Sequence, residues 1–210
     1  MNSNPAIDGL RRILRIVKDL ASLASSSNFR EEASRRYPEF PSIAAHIAEQ
    51  FAEECVLEAV PRIERQLEIV EKYMPPVRPA LDPIAGLELG IYSRLFSDRE
   101  IGFFMGYPGC CVEKFASELQ IGFTKQHVGE LAEVLSENQV LVITAGFIPC
   151  SLKCVKAREK GLLAVVSKEE VSRLEELEKE LYHELPHFHY EYMEHYYEYL
   201  RKTSPPPTII

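Results

Sequence analysis

Apolar residues recur at three- and four-residue steps along much of the chain, the spacing that gives an α-helix one buried face. The first such stretch covers residues 5–24 and ends in a run of three serines and Asn28. A second runs from Pro41 to about Tyr73. Because Pro61 interrupts it, we predict a kink there or two consecutive helices.

Shorter helices follow in the middle of the chain. Ser97 and Glu100 have the spacing of a capping box, which marks a helix start. Gly161 is placed to end the last of these helices. The periodicity predicts helices over Ile84 to Leu95, Asp98 to Met105, Val112 to Leu119, Lys125 to Ser136 and Cys150 to Lys160.

Two segments favour strands instead. Val140 to Thr144 is short, apolar and rich in β-branched residues, which is typical of a buried strand. Leu162 to Val166 is a candidate for a second strand. The predicted fold class is therefore mainly α, a helical domain with at most a small two-stranded β element.

The C-terminal part is predicted to be one long aromatic helix. Ser167 and Glu170 form a second capping box, and an apolar stripe runs from Leu174 through Pro186 to Tyr199. Six tyrosines lie between Tyr182 and Tyr199. Since a ring with a polar tip suits an interface, this helix is a candidate surface for a homodimer or another protein partner. The tail after Ser204 is expected to be extended.

Four prolines in residues 75–83 exclude a regular helix there and suggest a boundary. We therefore divide the chain into regions that together form one compact domain. They are an N-terminal helical region (1–74), a proline-rich linker (75–83), a region carrying the cysteine motifs (84–166) and the C-terminal aromatic helix and tail (167–210).

Composition narrows the functional classes. Hydrophobic residues make up 46% and charged residues 27% of the chain, which is ordinary for a globular protein. The net charge of -8 argues against nucleic-acid binding, which depends on Lys and Arg. We see no run of 18 apolar residues and no signal peptide, so we expect neither membrane insertion nor export, and a cytoplasmic location. The abundance of Glu, Lys and Arg resembles a thermophile composition.

Four of the five cysteines lie in two short motifs, each with a proline before a predicted helix. Pro108 precedes Cys110 and Cys111, and Pro149 precedes Cys150 and Cys154, which stand four residues apart and would share a helix face. A helix N-terminus favours a thiolate over a thiol. The fifth cysteine, Cys55, lies on an apolar stripe and is interpreted as a small hydrophobic residue.

Three interpretations of these cysteines stay open. Cys110, Cys111, Cys150 and Cys154 could hold zinc or an iron–sulfur cluster, which suits a cytoplasmic protein, although adjacent cysteines crowd a single ion. Alternatively, Cys110, Cys111 or Cys150 supplies a reactive thiolate in a redox dithiol. In the third, the cysteines are buried packing residues, cross-linked or not.

The histidines add weaker candidates. His127 lies between the two cysteine motifs in sequence and is a candidate additional ligand or acid–base group. Four more histidines (His183, His187, His189 and His195) are interpreted as packing or solvated residues, because they match no complete ligand set. Common nucleotide-binding and hydrolase motifs are missing from the sequence, which leaves enzymatic activity open.

The pattern G-Y-P-x-C-C-V-x-x-F followed by F-x-P-C-x3-C resembles an uncharacterised, largely archaeal family known as domain of unknown function 483. The resemblance covers roughly residues 97–160 and implies a cysteine site without a known reaction. Family members often have a histidine before the second motif, where this chain has Ala145 and Gly146. A looser similarity links the motifs to the cysteine-rich domain of heterodisulfide-reductase-type proteins, but Val112 replaces a glycine of that pattern, so its function is not carried over.

Overall fold

The computed structural model describes residues 4–53, 58–92, 95–118, 122–187 and 195–202. Within these residues the chain forms ten helices and three strands. The helices are α1 (Pro5–Leu23), α2 (Phe29–Arg36), α3 (Pro41–Ala52), α4 (Ala59–Tyr73), α5 (Pro83–Glu88), α6 (Asp98–Phe104), α7 (Gly109–Glu118), α8 (Lys125–Val134), α9 (Val155–Glu159) and α10 (Lys168–Glu184). The strands are β1 (Val140–Thr144), β2 (Leu163–Val166) and β3 (Tyr197–Leu200).

The N-terminal helices pack around α1, as its periodicity predicted. The Asn4 side chain caps this helix by accepting hydrogen bonds from the backbone N–H groups of Ala6 and Ile7. Its buried face meets α3 and α4 in one apolar cluster. The short helix α2 was missed in the sequence, because it is strongly charged and buries only Ala33, so it shows no apolar stripe.

The long helical run does break, but not at the proline. Helix α3 ends at Ala52 and α4 begins at Ala59, so Pro61 lies in the first turn of α4. Proline is tolerated there because the first N–H groups of a helix have no intrahelical partner. The helix predicted from Ile84 is also shorter than expected: α5 ends at Glu88, and Gly90 follows with a φ of 74°.

The sheet is antiparallel, with strand order β2-β1-β3, so β1 is central. Alternate residues of β1 face opposite layers. Leu141 and Ile143 pack with α8 and the cysteine motifs, whereas Val140 and Val142 pack with α4 and α10. Because both faces of β1 are covered, all of its residues are buried, which explains the continuous apolar run in the sequence.

The prediction of one long aromatic helix at the C-terminus is wrong, because this region forms a helix and a strand. Helix α10 ends at Glu184, and Tyr197–Leu200 forms β3 beside β1. Pro186 cannot continue the helix, and Glu178 of α10 accepts hydrogen bonds from the backbone N–H groups of Tyr196 and Tyr197 at 3.0 and 3.2 Å. The mainly helical class is confirmed, and the small sheet has three strands rather than two.

This strand changes the setting of the tyrosines. Tyr196 and Tyr197 are buried, and the Tyr197 hydroxyl donates to the carbonyl oxygen of Val77 over 2.9 Å. The partner surface assigned to this region stays a prediction, as do the domain boundaries. Several residues that entered the sequence predictions lie outside the described residues, namely Cys55, His189, Tyr190, Tyr192 and the tail from residue 203.

The proline-rich segment is non-helical from Pro75 to Asp82, as predicted, and Pro83 begins α5. Its backbone is tied to later parts of the chain: Arg78 N–H donates to the Gly161 carbonyl at 2.6 Å, and Ala80 N–H to that of Tyr196 at 3.0 Å. The segment therefore packs between the N-terminal helices and the sheet. None of the described helices is both long enough and apolar enough to span a membrane.

Candidate metal centre

The first cysteine pair lies at the start of α7, as the sequence predicted. The Pro108 carbonyl accepts hydrogen bonds from the backbone N–H groups of Cys111 and Val112 at 2.9 and 3.0 Å, which begins the helix. Cys110 and Cys111 both fall in the first turn. Successive helical residues point about 100° apart. Cys110 is accordingly exposed, whereas Cys111 is buried.

The second pair is not on one helix face, so that part of the prediction is wrong. Helix α9 begins only at Val155, with Cys154 as its N-cap residue, and Cys150 lies in the loop that leaves β1. The reason is a turn in which Cys154 N–H donates to the Ser151 carbonyl at 3.1 Å, with Leu152 fully buried beneath it. The turn, rather than a helix, aims both sulfurs at α7.

The four sulfurs form one cluster. The Sγ atoms of Cys110, Cys111, Cys150 and Cys154 all lie within 4.8 Å of one another. The Cys154 sulfur is 3.8 Å from that of Cys110 and 3.8 Å from that of Cys111. All four are free thiols. This is a set of ligand atoms that could hold a metal ion, and it is the one such set among the described residues.

The thiols differ in acidity. Burial raises the pKa of Cys111 strongly, and burial also raises the pKa of Cys150 to about 11. Partial burial acts in the same sense on Cys154, but hydrogen bonds from the Ala157 backbone N–H and the neighbouring thiols outweigh it and lower the pKa of Cys154. Cys154 is therefore the thiol among these three that ionises most readily.

His127 supports the site through both ring nitrogens. The backbone N–H of Thr124 donates to Nδ1 at 3.0 Å, so Nδ1 is an acceptor and the proton resides on Nε2. Nε2 then donates to the Pro149 carbonyl at 2.8 Å, directly before Cys150. Burial lowers the pKa of His127, which keeps the ring neutral. His127 is not part of the converging sulfur set, so its structural task is to hold the loop.

Two further side chains that the sequence analysis missed hold the same loop. Glu130, one turn after His127, accepts from the Leu152 backbone N–H at 2.7 Å and from the Ser151 hydroxyl at 2.9 Å. Lys114 of α7 donates to the Cys150 carbonyl at 3.1 Å. The signal for Glu130 was its i,i+3 spacing to His127, which places both on one face of α8.

An apolar cavity adjoins the cluster. It has a volume of about 280 Å³, and Cys111 forms part of its wall together with Tyr107, Val112 and Phe147. The rings of Tyr107 and Phe147 lie 4.7 Å apart, between centroids. One edge of the sulfur cluster is thus reached from solvent through the exposed Cys110, and another borders an apolar space.

A family model described as a protein of unknown function, DUF483, matches residues 63–182, which is more than half of the chain. The chain belongs to this family. The matched residues of this DUF483 protein run from α4 into α10 and contain both cysteine motifs, His127 and Glu130. The resemblance seen in the sequence is confirmed at the level of the family.

Two archaeal relatives are similar to this DUF483 protein. An uncharacterized protein of Methanocaldococcus jannaschii is 43% identical over 142 residues, which are 65% of this chain and 76% of the relative. An uncharacterized protein of Methanothermobacter thermautotrophicus is 41% identical over 137 residues, covering 64% of this chain and 75% of the relative. No solved structure matches the chain.

Proposed function

We propose that this DUF483 protein binds one zinc ion through Cys110, Cys111, Cys150 and Cys154. The observation that carries the proposal is the sulfur spacing. Four sulfurs arranged tetrahedrally around zinc at about 2.3 Å lie about 3.8 Å from one another. Two of the distances in the cluster are 3.8 Å, and all are within 4.8 Å.

The same spacing favours one ion over an iron–sulfur cluster. In a cluster, the protein sulfurs bind different iron atoms, so they stand further apart than the ligands of a single ion. The sequence raised the objection that adjacent cysteines crowd one ion. In the structure, the sulfurs of the adjacent Cys110 and Cys111 are equally close to that of Cys154. Both therefore can face the same ion.

Zinc would also account for the buried thiols. Thiolates, not thiols, bind the ion, so binding one Zn²⁺ would release four protons and leave a site of net charge 2−. The ion would stabilise the thiolates of Cys111 and Cys150. The ion would tie the start of α7 to the loop between β1 and α9. Affinity should fall as the pH is lowered, since protons compete for the sulfurs.

The test is metal analysis of protein purified without oxygen. We expect one zinc per chain, and cobalt substitution should give the absorption bands of tetrahedral thiolate coordination. Cys154→Ser should weaken zinc binding by at least tenfold, whereas Cys55→Ser provides the matched control with unchanged affinity. Iron with acid-labile sulfide would contradict the zinc proposal in favour of a cluster. A metal-free protein with four titratable thiols at the site would contradict both.

A thiol redox protein is the second candidate, favoured by the exposed Cys110 next to the more acidic Cys154. In this function the Cys154 thiolate attacks a disulfide substrate, forms a mixed disulfide and releases one substrate thiolate. Cys110 then loses its proton and displaces the second substrate thiolate, leaving a disulfide between Cys110 and Cys154.

Glutathione disulfide distinguishes the two candidates. A redox protein should release two equivalents of glutathione and acquire a bridge between Cys110 and Cys154, which peptide mass mapping identifies. Cys110→Ser should stop at the mixed disulfide after one equivalent. If zinc-loaded wild-type protein does not react and zinc-free protein reacts without preference among the four cysteines, the redox candidate is wrong.

A further inference from the structure

A second pocket lies where the beginning of α1 meets the turn at Gly106 and the end of α9. It has a volume of about 360 Å³, and none of its described lining residues also lines the cavity beside Cys111. Four cationic side chains line it, namely Arg12, Arg15, Arg78 and Lys160. These residues come from α1, the proline-rich segment and the end of α9, so only the tertiary fold brings them together.

The cationic side chains of this pocket differ from many surface arginines in their partners. Several arginines elsewhere on the surface pair with carboxylates, as Arg36 does with Asp19 at 2.7 Å. In the described part of the chain, none of the four pocket cations forms such an ion pair. Asp8 and Glu159 also line the pocket, but they are outnumbered, and Asp8 pairs with Arg11. In a protein with a net charge of -8, this is a local excess of positive charge.

Backbone carbonyls at the end of α6 hold two of the guanidinium groups in place. Arg12 donates to the carbonyls of Phe103 and Phe104 at 3.1 and 2.6 Å, and Arg78 donates to that of Met105 at 2.9 Å. Carbonyl dipoles orient a cation but do not cancel its charge. Arg78 is only 3% exposed, and its guanidinium group lies 5.6 Å from the centroid of the Tyr107 ring. Its Nη2 has no hydrogen-bond partner among the described residues.

Two glycines, which lack a Cβ atom, provide the space that these guanidinium groups occupy. A Cβ atom on Gly9 would lie 2.8 Å from Nη1 of Arg78. A Cβ atom on Gly106, where φ is +74°, would lie 3.2 Å from Nη1 of Arg12. Burial lowers the pKa of Arg12 and of Arg78. Partial burial, followed by repulsion from these two arginines, lowers the pKa of Lys160, although Glu39 attracts it. A bound anion would relieve this repulsion.

We propose that the pocket binds the phosphate group of a small phosphorylated molecule. Arginine presents its N–H groups as a fork that matches two oxygens of a phosphate, and a nearby lysine adds a mobile positive charge. The volume of about 360 Å³ falls in the range of small-molecule sites and exceeds what a bare phosphate needs. Arg15 and Lys160 are exposed at its mouth and therefore meet the anion first.

Calorimetric titration at constant ionic strength tests the proposal, with inorganic phosphate and glycerol phosphate as probes. We expect saturable 1:1 binding, tighter for glycerol phosphate, and little binding of acetate. Lys160→Gln and Arg15→Gln should each weaken phosphate binding roughly tenfold, the loss expected for one charged hydrogen bond. Both residues are exposed, so the variants should melt at the wild-type temperature.

Matched substitutions on the same helices serve as controls. Lys156→Gln lies one turn before Lys160, and Lys18→Gln lies one turn after Arg15; both residues are exposed and outside the pocket wall. Their phosphate affinity should equal that of the wild type. Equal weakening by Lys156→Gln and Lys160→Gln, or binding that does not saturate, would show only general attraction of an anion and overturn the proposal. Absence of any phosphate binding would also overturn it.

Discussion

The imidazole Nε2 of His127 donates a hydrogen bond to the carbonyl oxygen of Pro149 over 2.8 Å, joining α8 to the residue before Cys150. The bond is buried, and both of its partners are otherwise shielded from water. A buried carbonyl that loses its donor retains the cost of desolvation, so this contact should matter for the folded position of the loop.

His127→Ala should therefore destabilise the zinc-free protein by about 2–4 kcal/mol, the sum of a cavity and an unpaired buried carbonyl. Urea unfolding measures this change. His183→Ala is the control, because that side chain is 83% exposed and should change stability by less than about 0.5 kcal/mol. Similar stability of the two variants would show that His127 does not hold the loop.

The ion pair between Arg62 and Asp82 should be among the strongest polar contacts of the fold. Asp82 is fully buried and accepts two hydrogen bonds from Arg62, at 2.6 and 2.9 Å, as well as one from the Ala85 N–H that caps α5. Asp82→Ala should cost about 3–5 kcal/mol, because it leaves Arg62 largely buried without its partner.

An exposed pair provides the comparison. Arg99 and Glu113 also form a two-bond contact, but both side chains are 54% exposed. Glu113→Ala should cost far less stability than Asp82→Ala, since water screens the pair. Chemical denaturation of both variants measures the difference. Equal losses would mean that burial does not decide the strength of these ion pairs.

Two glycine-to-alanine substitutions should change the stability of the protein in opposite directions. Gly161 has a φ of +62°, and a Cβ atom there would lie 2.8 Å from the backbone nitrogen of Ala6. Gly161→Ala should destabilise the protein by more than about 2 kcal/mol, from backbone strain plus that contact. A Cβ atom on Gly129 in α8 would have no atom of the described residues within 4 Å outside its own helix backbone, so Gly129→Ala should stabilise the protein by about 0.5–1 kcal/mol. Melting temperatures of the two variants check the signs.

Glu178 should make stability depend on pH. Burial raises its pKa, although the hydroxyl of Tyr199 and the N–H groups of Tyr196 and Tyr197 donate to it. In the window between the unfolded and the higher folded pKa, the native state holds a proton that the unfolded state has lost. The stabilisation is therefore fully present below a pH of about 4.5 and is lost as the pH rises through the folded value.

Glu178→Gln removes this ionisation and keeps an acceptor for the backbone of β3. Relative to Glu178→Gln, the wild type should lose stability as the pH rises from about 4.5 towards neutrality. Urea unfolding of both proteins at several pH values measures the difference. The exposed Glu176→Gln is the control and should follow the wild type. A difference that is constant with pH would show that Glu178 does not titrate above its unfolded value.

Local patterns in the sequence predicted the elements whose signals lie within a few residues. The capping residues of α6 and α10, the apolar run of β1 and the stop at Gly161 all appear where the sequence indicated them. The start of α7 with its two cysteines also follows from such signals, because helix caps and strand composition act through neighbouring residues.

Contacts between distant residues decided the rest. Tyr197 became part of a strand because β1 offered a free edge and Glu178 bound the adjacent N–H groups, neither of which is visible in the aromatic stripe. The loop with Cys150 took its shape from His127 and Glu130, more than 20 residues away.

The sequence by itself determined the mainly helical class, the helix that carries Cys110 and Cys111, and the four cysteines of the candidate site. Only the tertiary structure decided that the sulfurs of Cys150 and Cys154 reach those of the first pair. It also brought Arg12, Arg78 and Lys160 around one pocket. The physical reason is that propensity and capping depend on neighbouring residues, whereas convergence of side chains depends on how α1, α7, α8 and the sheet pack.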